Sequence, residues 1–200
     1  LSAVGEGFHK QQSLQTSLVF AVDDGAVKTI TNFQFIEGKN GLQLNQFSGT
    51  ADAKLLDLSS FHEKLGDITS KLSWKGTKNE GEEFEFSYAL KLDEIGFNNL
   101  TLNNISAKGS LDDKLINADI VVDNRYITAQ SALAFSLENQ KHQYQLDLNL
   151  EQLNLHAFDP ELGGGKARYS GDFNLFLVGN SIDEIQGNLL FKNLKFENTM

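Results

Sequence analysis

The sequence predicts an all-β fold: a long amphipathic antiparallel meander, curled into a groove or taco-like sheet, with two short helical turns. Three observations predict it. Apolar residues recur at every second position through most of the chain, the signature of strands with one buried and one wet face. Helical periodicity is nearly absent. The connecting segments carry turn chemistry, as in Asp23-Asp24-Gly25, Gly38-Lys39-Asn40-Gly41, Leu111-Asp112-Asp113-Lys114 and Glu138-Asn139-Gln140-Lys141.

Taken in order, residues 14–22 and 27–35 alternate and read as the first two strands. In the next clear case Phe84, Phe86, Tyr88, Leu90 and Leu92 point one way, and Glu85, Ser87, Ala89 and Lys91 the other. Residues 115–122 and 127–137 follow the same rule. Then Tyr144, Leu146, Leu148 and Leu150 alternate with Gln145, Asp147 and Asn149, and residues 171–178 and 187–196 close the series with Phe173, Leu175, Leu177, Leu189 and Phe191. A strand of about nine residues is roughly 30 Å long.

Two segments break the rhythm and resemble each other. Leu58, Phe61, Leu65 and Gly66 stand in the pattern L-x-x-F-x-x-x-L-G, and Leu155, Phe158, Leu162 and Gly163 repeat it 97 residues later. Phe and Leu four apart share one side of a helical turn, with Ser59 or Ser60 as a cap and glycine as the stop. In the second segment Asp159-Pro160 offers a later helix start. The similarity spreads outward: Ala51, Ala53, Leu56 and Leu58 match Leu148, Leu150, Leu153 and Leu155 at the same offset of 97. Residues 72–76 parallel 175–179, and residues 90–99 parallel 189–198. The chain therefore reads as two β-repeat units, 1–100 and 101–200, in one continuous sheet.

Composition narrows the function. With 200 residues the chain can bury a core without disulfides or metals. No cysteine excludes thiolate metal sites, iron–sulfur clusters and cysteine nucleophiles, and suits an oxidising compartment. The net charge of -10 argues against nucleic acid as a partner. The chain starts at Leu1 without a signal-like segment, and its longest apolar run, residues 18–22, is five residues. A membrane span needs about 20. A segment of a longer protein, with its membrane anchor outside this chain, is the expectation.

Catalytic and metal chemistry is sparse. His9, His62, His142 and His156 have no ligand spacing. Asp23 and Asp24, Glu82 and Glu83, Asp112 and Asp113, and Asp183 and Glu184 fall mostly at predicted turns, where solvated carboxylates are the ordinary outcome. Gly163-Gly164-Gly165-Lys166-Ala167 follows a helical turn rather than a strand, the reverse of phosphate-loop order, and reads as a connector. Trp74 shares a strand face with Leu72 and reads as packing. The expectation is a non-enzymatic protein without a cofactor.

The stretch 153–198 resembles the AsmA and TamB superfamily. The residues that carry the resemblance are the glycine-led amphipathic strand Gly171-Asp172-Phe173-Asn174-Leu175-Phe176-Leu177-Val178, a second glycine at Gly179, the segment Ser181-Ile182-Asp183-Glu184-Ile185, and a further glycine-led strand from Gly187. The likeness is closest to TamB-like translocation and assembly proteins, with this chain as an internal segment. It implies a periplasmic protein anchored in the inner membrane and extended as a curled β-sheet with an apolar groove. It also implies phospholipid acyl chains or components of outer-membrane β-barrel assembly as partners.

Periodicity supplies its own reason to look for such a groove. Half of each strand is apolar and there is little helix to cover it. Either a second sheet closes over that face as a sandwich, or the sheet folds along its length and leaves a slot. Groove candidates are Phe84, Phe86, Tyr88, Leu90, Leu92, Tyr144, Leu146, Leu148, Leu150, Phe173, Leu175, Leu177, Leu189 and Phe191. The alternative expectation is a cell-surface β-sandwich adhesin or carbohydrate-binding module with loop-borne contacts.

Overall fold

The computed structural model describes residues 2–4, 11–22, 25–38, 41–59, 62–78, 84–98, 100–112, 115–138, 141–159, 167–180 and 184–198. They form one antiparallel sheet of 12 strands paired in chain order from end to end, without closure into a barrel. The strands are β1 (Ser2–Val4), β2 (Gln11–Val22), β3 (Gly25–Gly38), β4 (Gly41–Asp57), β5 (Leu65–Lys78), β6 (Phe84–Phe97), β7 (Leu100–Leu111), β8 (Leu115–Asp123), β9 (Ile127–Glu138), β10 (Lys141–Leu153), β11 (Ala167–Val178) and β12 (Gln186–Asn198). One helical turn, α1 (Leu155–Phe158), lies between β10 and β11.

Local chemistry fixes the strand ends. Gly41 opens β4 at φ +107°, a backbone region that glycine enters without a Cβ clash. Asp112 accepts from the Leu115 N–H at 2.8 Å and closes the β7–β8 turn. Asn124 accepts from the N–H groups of Tyr126 and Ile127 at 3.0 and 3.1 Å, closing β8–β9 in the same way. Several predicted turn residues, among them Asp23, Asp24, Lys39, Asn40, Asp113, Lys114, Asn139 and Gln140, lie outside the described residues. So do Glu82, Glu83, Asp183, His9 and residues 160–166.

Of the two expected helical turns, the described residues contain one. Asn154 caps α1 by accepting from the Ala157 N–H at 3.3 Å. In the earlier segment Ser59 donates both its N–H and its hydroxyl to Asp57, at 2.8 and 2.9 Å. That Asx-type turn takes the groups a helix cap would use. The His62 N–H reaches the Leu58 carbonyl at 3.4 Å, and none of the described residues there is helical; Ser60 and Phe61 lie outside the described residues. The two hydrogen bonds to Ser59 hold the Asp57 carboxyl below its ordinary pKa.

The sheet is a single layer among the described residues, and every extensive contact between strands is between chain neighbours. The chain exposes 13971 Å². A compact globule of 22.2 kDa exposes about 9,400 Å². The sandwich architecture expected as an alternative is therefore not adopted by the described residues: no second sheet covers the first.

Pairing register also relates the two halves. Phe33 opposite Phe47 and Gly76 opposite Phe86 in β3–β6 hold the places that Phe135 opposite Tyr144 and Leu177 opposite Gly187 hold in β9–β12. A bulge between Ala53 and Leu56 in β4 recurs between Leu150 and Leu153 in β10, 97 positions on. Downstream, the register pairs Trp74 with Leu175 and Tyr88 with Leu189 as equivalents, each 101 positions apart. The sequence comparison, which set Leu72 against Leu175 and Leu90 against Leu189, slipped by two residues. Such a slip leaves every side chain on its own face, so alternation alone does not detect it.

Bulges form a row across the sheet. β4 carries extra residues near Leu55, β6 near Asp93, β10 near Glu151 and β12 near Asn193, and β7 interrupts its pairing at Asn104. Leu55, Asn104 and Asn193 have positive φ, of 49°, 52° and 52°. A bulge adds one residue and bends its strand. Beyond the row the apolar side chains therefore stay on the same face, where Ile68 pairs with Ile95, Leu153 with Tyr169 and Tyr169 with Phe196.

Candidate functional site

Register places the candidate residues on one face. Tyr144, Leu146, Leu148 and Leu150 stand opposite Leu177, Leu175, Phe173 and Gly171. Phe173, Leu175 and Leu177 in turn stand opposite Phe191, Leu189 and Gly187. In the other direction the same face runs through Phe135, Leu133 and Ala129 of β9, Ile116, Ala118 and Val122 of β8, and Leu111, Gly109 and Ile105 of β7. It reaches Phe86, Tyr88, Leu90 and Leu92 on β6. Phe84 begins β6 opposite Lys78, and its side chain lies outside the described set.

Residues not selected from the sequence extend the face to β2. Gly76, Trp74 and Leu72 lie opposite Phe86, Tyr88 and Leu90, then Phe47, Gly49 and Ala51, then Phe33 and Thr31, with Leu14 beyond. Their alternation is legible, but β4, β5 and β7 are not among the eight strand ranges the sequence predicts, although Trp74 and Leu72 of β5 share a predicted strand face, so the face lacks a bridge between its parts. Trp74, expected to pack, lies over Gly49: a Cβ there would meet the indole at 2.5 Å. Small residues seat large neighbours elsewhere too. Gly76 separates Phe47 from Phe86, whose ring centroids lie 6.0 Å apart across two strands. Phe135 packs on Tyr144 and Phe173 on Phe191, at 5.1 and 5.2 Å.

The face is only partly covered. Leu150, at 8% exposure, is buried; Phe86, Tyr88, Leu90, Leu92, Leu146, Leu148, Phe173, Leu175 and Leu177 are half-buried. Tyr144, Leu189 and Phe191 are exposed, the last two at 57% and 47% because β12 has no strand beyond it among the described residues. Exposed apolar surface on this scale marks an interaction site more often than a passive surface.

The opposite face is mainly polar, with Val121, Phe176 and Leu190 exposed on it. Asp147 accepts from Asn174 and Gln145, each at 2.7 Å, and Asp172 from Asn149 and Asn193, at 2.7 and 2.6 Å. Asp147, Asn149, Asp172 and Asn174, with Lys108, Asp119 and Lys192, line an open depression of about 560 Å³. The amide donors of Asn193 and Asn149 hold the Asp172 carboxyl below its ordinary pKa. A depressed folded-state pKa contributes stability above the unfolded value of 3.8, and that contribution is lost as pH falls through the folded value. Urea midpoints measured from about pH 5 down to about pH 2 should fall less steeply for Asp172→Asn than for the parent.

Among the described residues no three His, Asp or Glu side chains gather as metal ligands. His142 sits on the apolar face against Phe135 and Tyr144, at 5.4 and 6.4 Å, remote from His62 and His156 in the sheet. No described helix is long and apolar enough to cross a membrane, which leaves membrane-crossing strands unaddressed.

No family model, curated protein or solved structure matches the chain. The apolar face and its polar reverse thus stand on sequence and geometry alone.

Proposed function

We propose that this chain is an internal segment of an AsmA/TamB-like periplasmic scaffold, non-enzymatic, whose apolar sheet face holds phospholipid acyl chains. The full-length protein is anchored in the inner membrane and serves phospholipid movement between membranes or outer-membrane protein assembly. One observation carries the reading: a single apolar face, continuous over neighbouring strands from β2 to β12 and without a second layer over it among the described residues. Acyl chains fit it because they ask for burial without hydrogen-bond partners, and a one-sided sheet offers that. The cysteine-free composition and the strand–glycine–S-I-D-E-I–glycine signature support the same compartment and family.

The single tryptophan provides the test. Trp74 lies on the apolar face, so phosphatidylcholine with brominated acyl chains should quench its fluorescence, while lipid brominated at the headgroup should not. Equal quenching by both, or by neither, would remove acyl chains as the occupant.

A further inference from the structure

We infer that α1, through Phe158, is an end plug: it shuts the apolar face beyond the row of bulges, so that a bound acyl chain stays on the panel that includes Trp74. This rests on the acyl-chain reading given above.

The geometry points to α1 in three ways. First, the segment reaches far across the sheet. The Phe158 ring lies 6.4 Å from that of Phe97 at the end of β6 and 6.3 Å from that of Tyr126 in the β8–β9 turn. In a flat sheet, β6 and β10 would be about 19 Å apart. The chain leaving β10 therefore folds back across the ends of β7, β8 and β9.

Second, hydrogen bonds hold it there. The Asn154 N–H donates to the Tyr126 carbonyl at 2.8 Å, and the Asn98 side-chain amide donates to the Phe158 carbonyl at 3.1 Å. Asn98 is itself fixed by its N–H on the Lys64 carbonyl at 2.7 Å. Third, the buried alanine and leucine side chains gather at this end. The buried apolar side chains, Ala129, Leu150 and Ala167, all lie on the strand ends beside this segment. Phe97 pairs with Leu65, and one pair further along Ile95 pairs with Ile68, on the apolar face.

A chain segment that lays an aromatic ring on this face occupies the place an acyl chain would take. It is held by one backbone hydrogen bond, from Asn154 to Tyr126, by the Asn98 amide and by ring contacts rather than by strand pairing, so it can leave without opening the sheet ladder.

The test places a second reporter under the plug. In a Trp74→Phe background, Phe97→Trp keeps an aromatic partner for Phe158. Brominated-chain phosphatidylcholine should quench this indole far less than it quenches Trp74 in the parent. Adding Phe158→Ala should raise its quenching to the level of Trp74. Asn98→Gly, which keeps the left-handed backbone (φ 48°) and removes only the latch, should raise it part of the way. Circular dichroism of each variant shows whether the sheet is intact, and the latch variant keeps the question answerable if Phe158→Ala unfolds. Equal quenching at both positions with Phe158 present would overturn the plug and leave the acyl-chain reading standing. So would quenching at the Phe97→Trp position that stays low after both changes while Trp74 is quenched. No quenching at Trp74 itself would remove the acyl-chain reading, and the plug with it.

Discussion

Gly109→Val is expected to destabilise the sheet by about 3 kcal/mol or more, enough to unfold a marginally stable chain. Gly109 lies in β7 between Tyr88 of β6 and Ala118 of β8. A Cβ there would stand 2.0 Å from the Asn117 carbonyl oxygen and 2.7 Å from the Tyr88 hydroxyl. The phenol can swing aside; the carbonyl belongs to the β8 backbone and cannot move without loosening the ladder. Adding Tyr88→Ala should therefore recover only part of the loss, a non-additivity that a double-mutant cycle resolves. Gly41→Ala is the useful contrast. Nothing lies within 4 Å of its Cβ position, so its cost comes from the positive φ alone, about 1 kcal/mol. Urea midpoints for the parent, Gly109→Val, Tyr88→Ala, the double variant and Gly41→Ala measure all three quantities.

Leu90→Asp should weaken binding of brominated-chain phosphatidylcholine tenfold or more, about 1.4 kcal/mol. Leu90 stands between Leu72 and Ala107 on the apolar face, one pair along from Trp74 and Tyr88. A carboxylate there removes apolar contact and must itself be desolvated when an acyl chain arrives. The position is only half-buried before binding, so the sheet should survive the change. Lys91→Asp is the matched control, because the adjacent residue points to the polar face, where its ammonium meets Asp93 at 2.7 Å. An exposed pair of that kind adds little to stability. Titrations of Trp74 quenching should separate the two variants clearly; equal binding by both would count against the apolar face as the lipid site.

Much of this arrangement is legible in the chain. Period-two alternation yields eight of the strands because one-sided burial is what a single sheet requires, and the turns follow from Gly, Asn and Asp. β4 and β7 are harder for a shared reason. Leu55-Leu56 breaks the alternation at a bulge and Asn103-Asn104 at an interrupted pairing where Asn104 has positive φ, and such features belong to the pairing between two strands, not to either one. The same limit explains the two-residue slip between Leu72 and Trp74 as the equivalent of Leu175.

The candidate face shows a similar division. Whether Tyr88 and Leu175 share a face depends on the register of every strand between them, although each is visibly on the apolar side of its own strand. Phe158 was visible as part of a helical turn. Its contact with Phe97 was not, since it joins residues far apart in sequence across the ends of intervening strands. Nor does spacing reveal the Asp57–Ser59 turn at the start of the first expected helical segment.

Because each strand draws its extensive contacts from the strands beside it, free energy in this sheet is a sum of adjacent terms, as in a one-dimensional stack. A compact globule melts as a block, since its core is shared by distant segments. Here β12 at one end or β1 at the other is able to fray while the centre holds, so a urea midpoint reports the strands around the substituted residue rather than the whole chain. Such an object has local stabilities in place of one global stability, and lengthening it by further strands would extend it without changing the strength of what is already there.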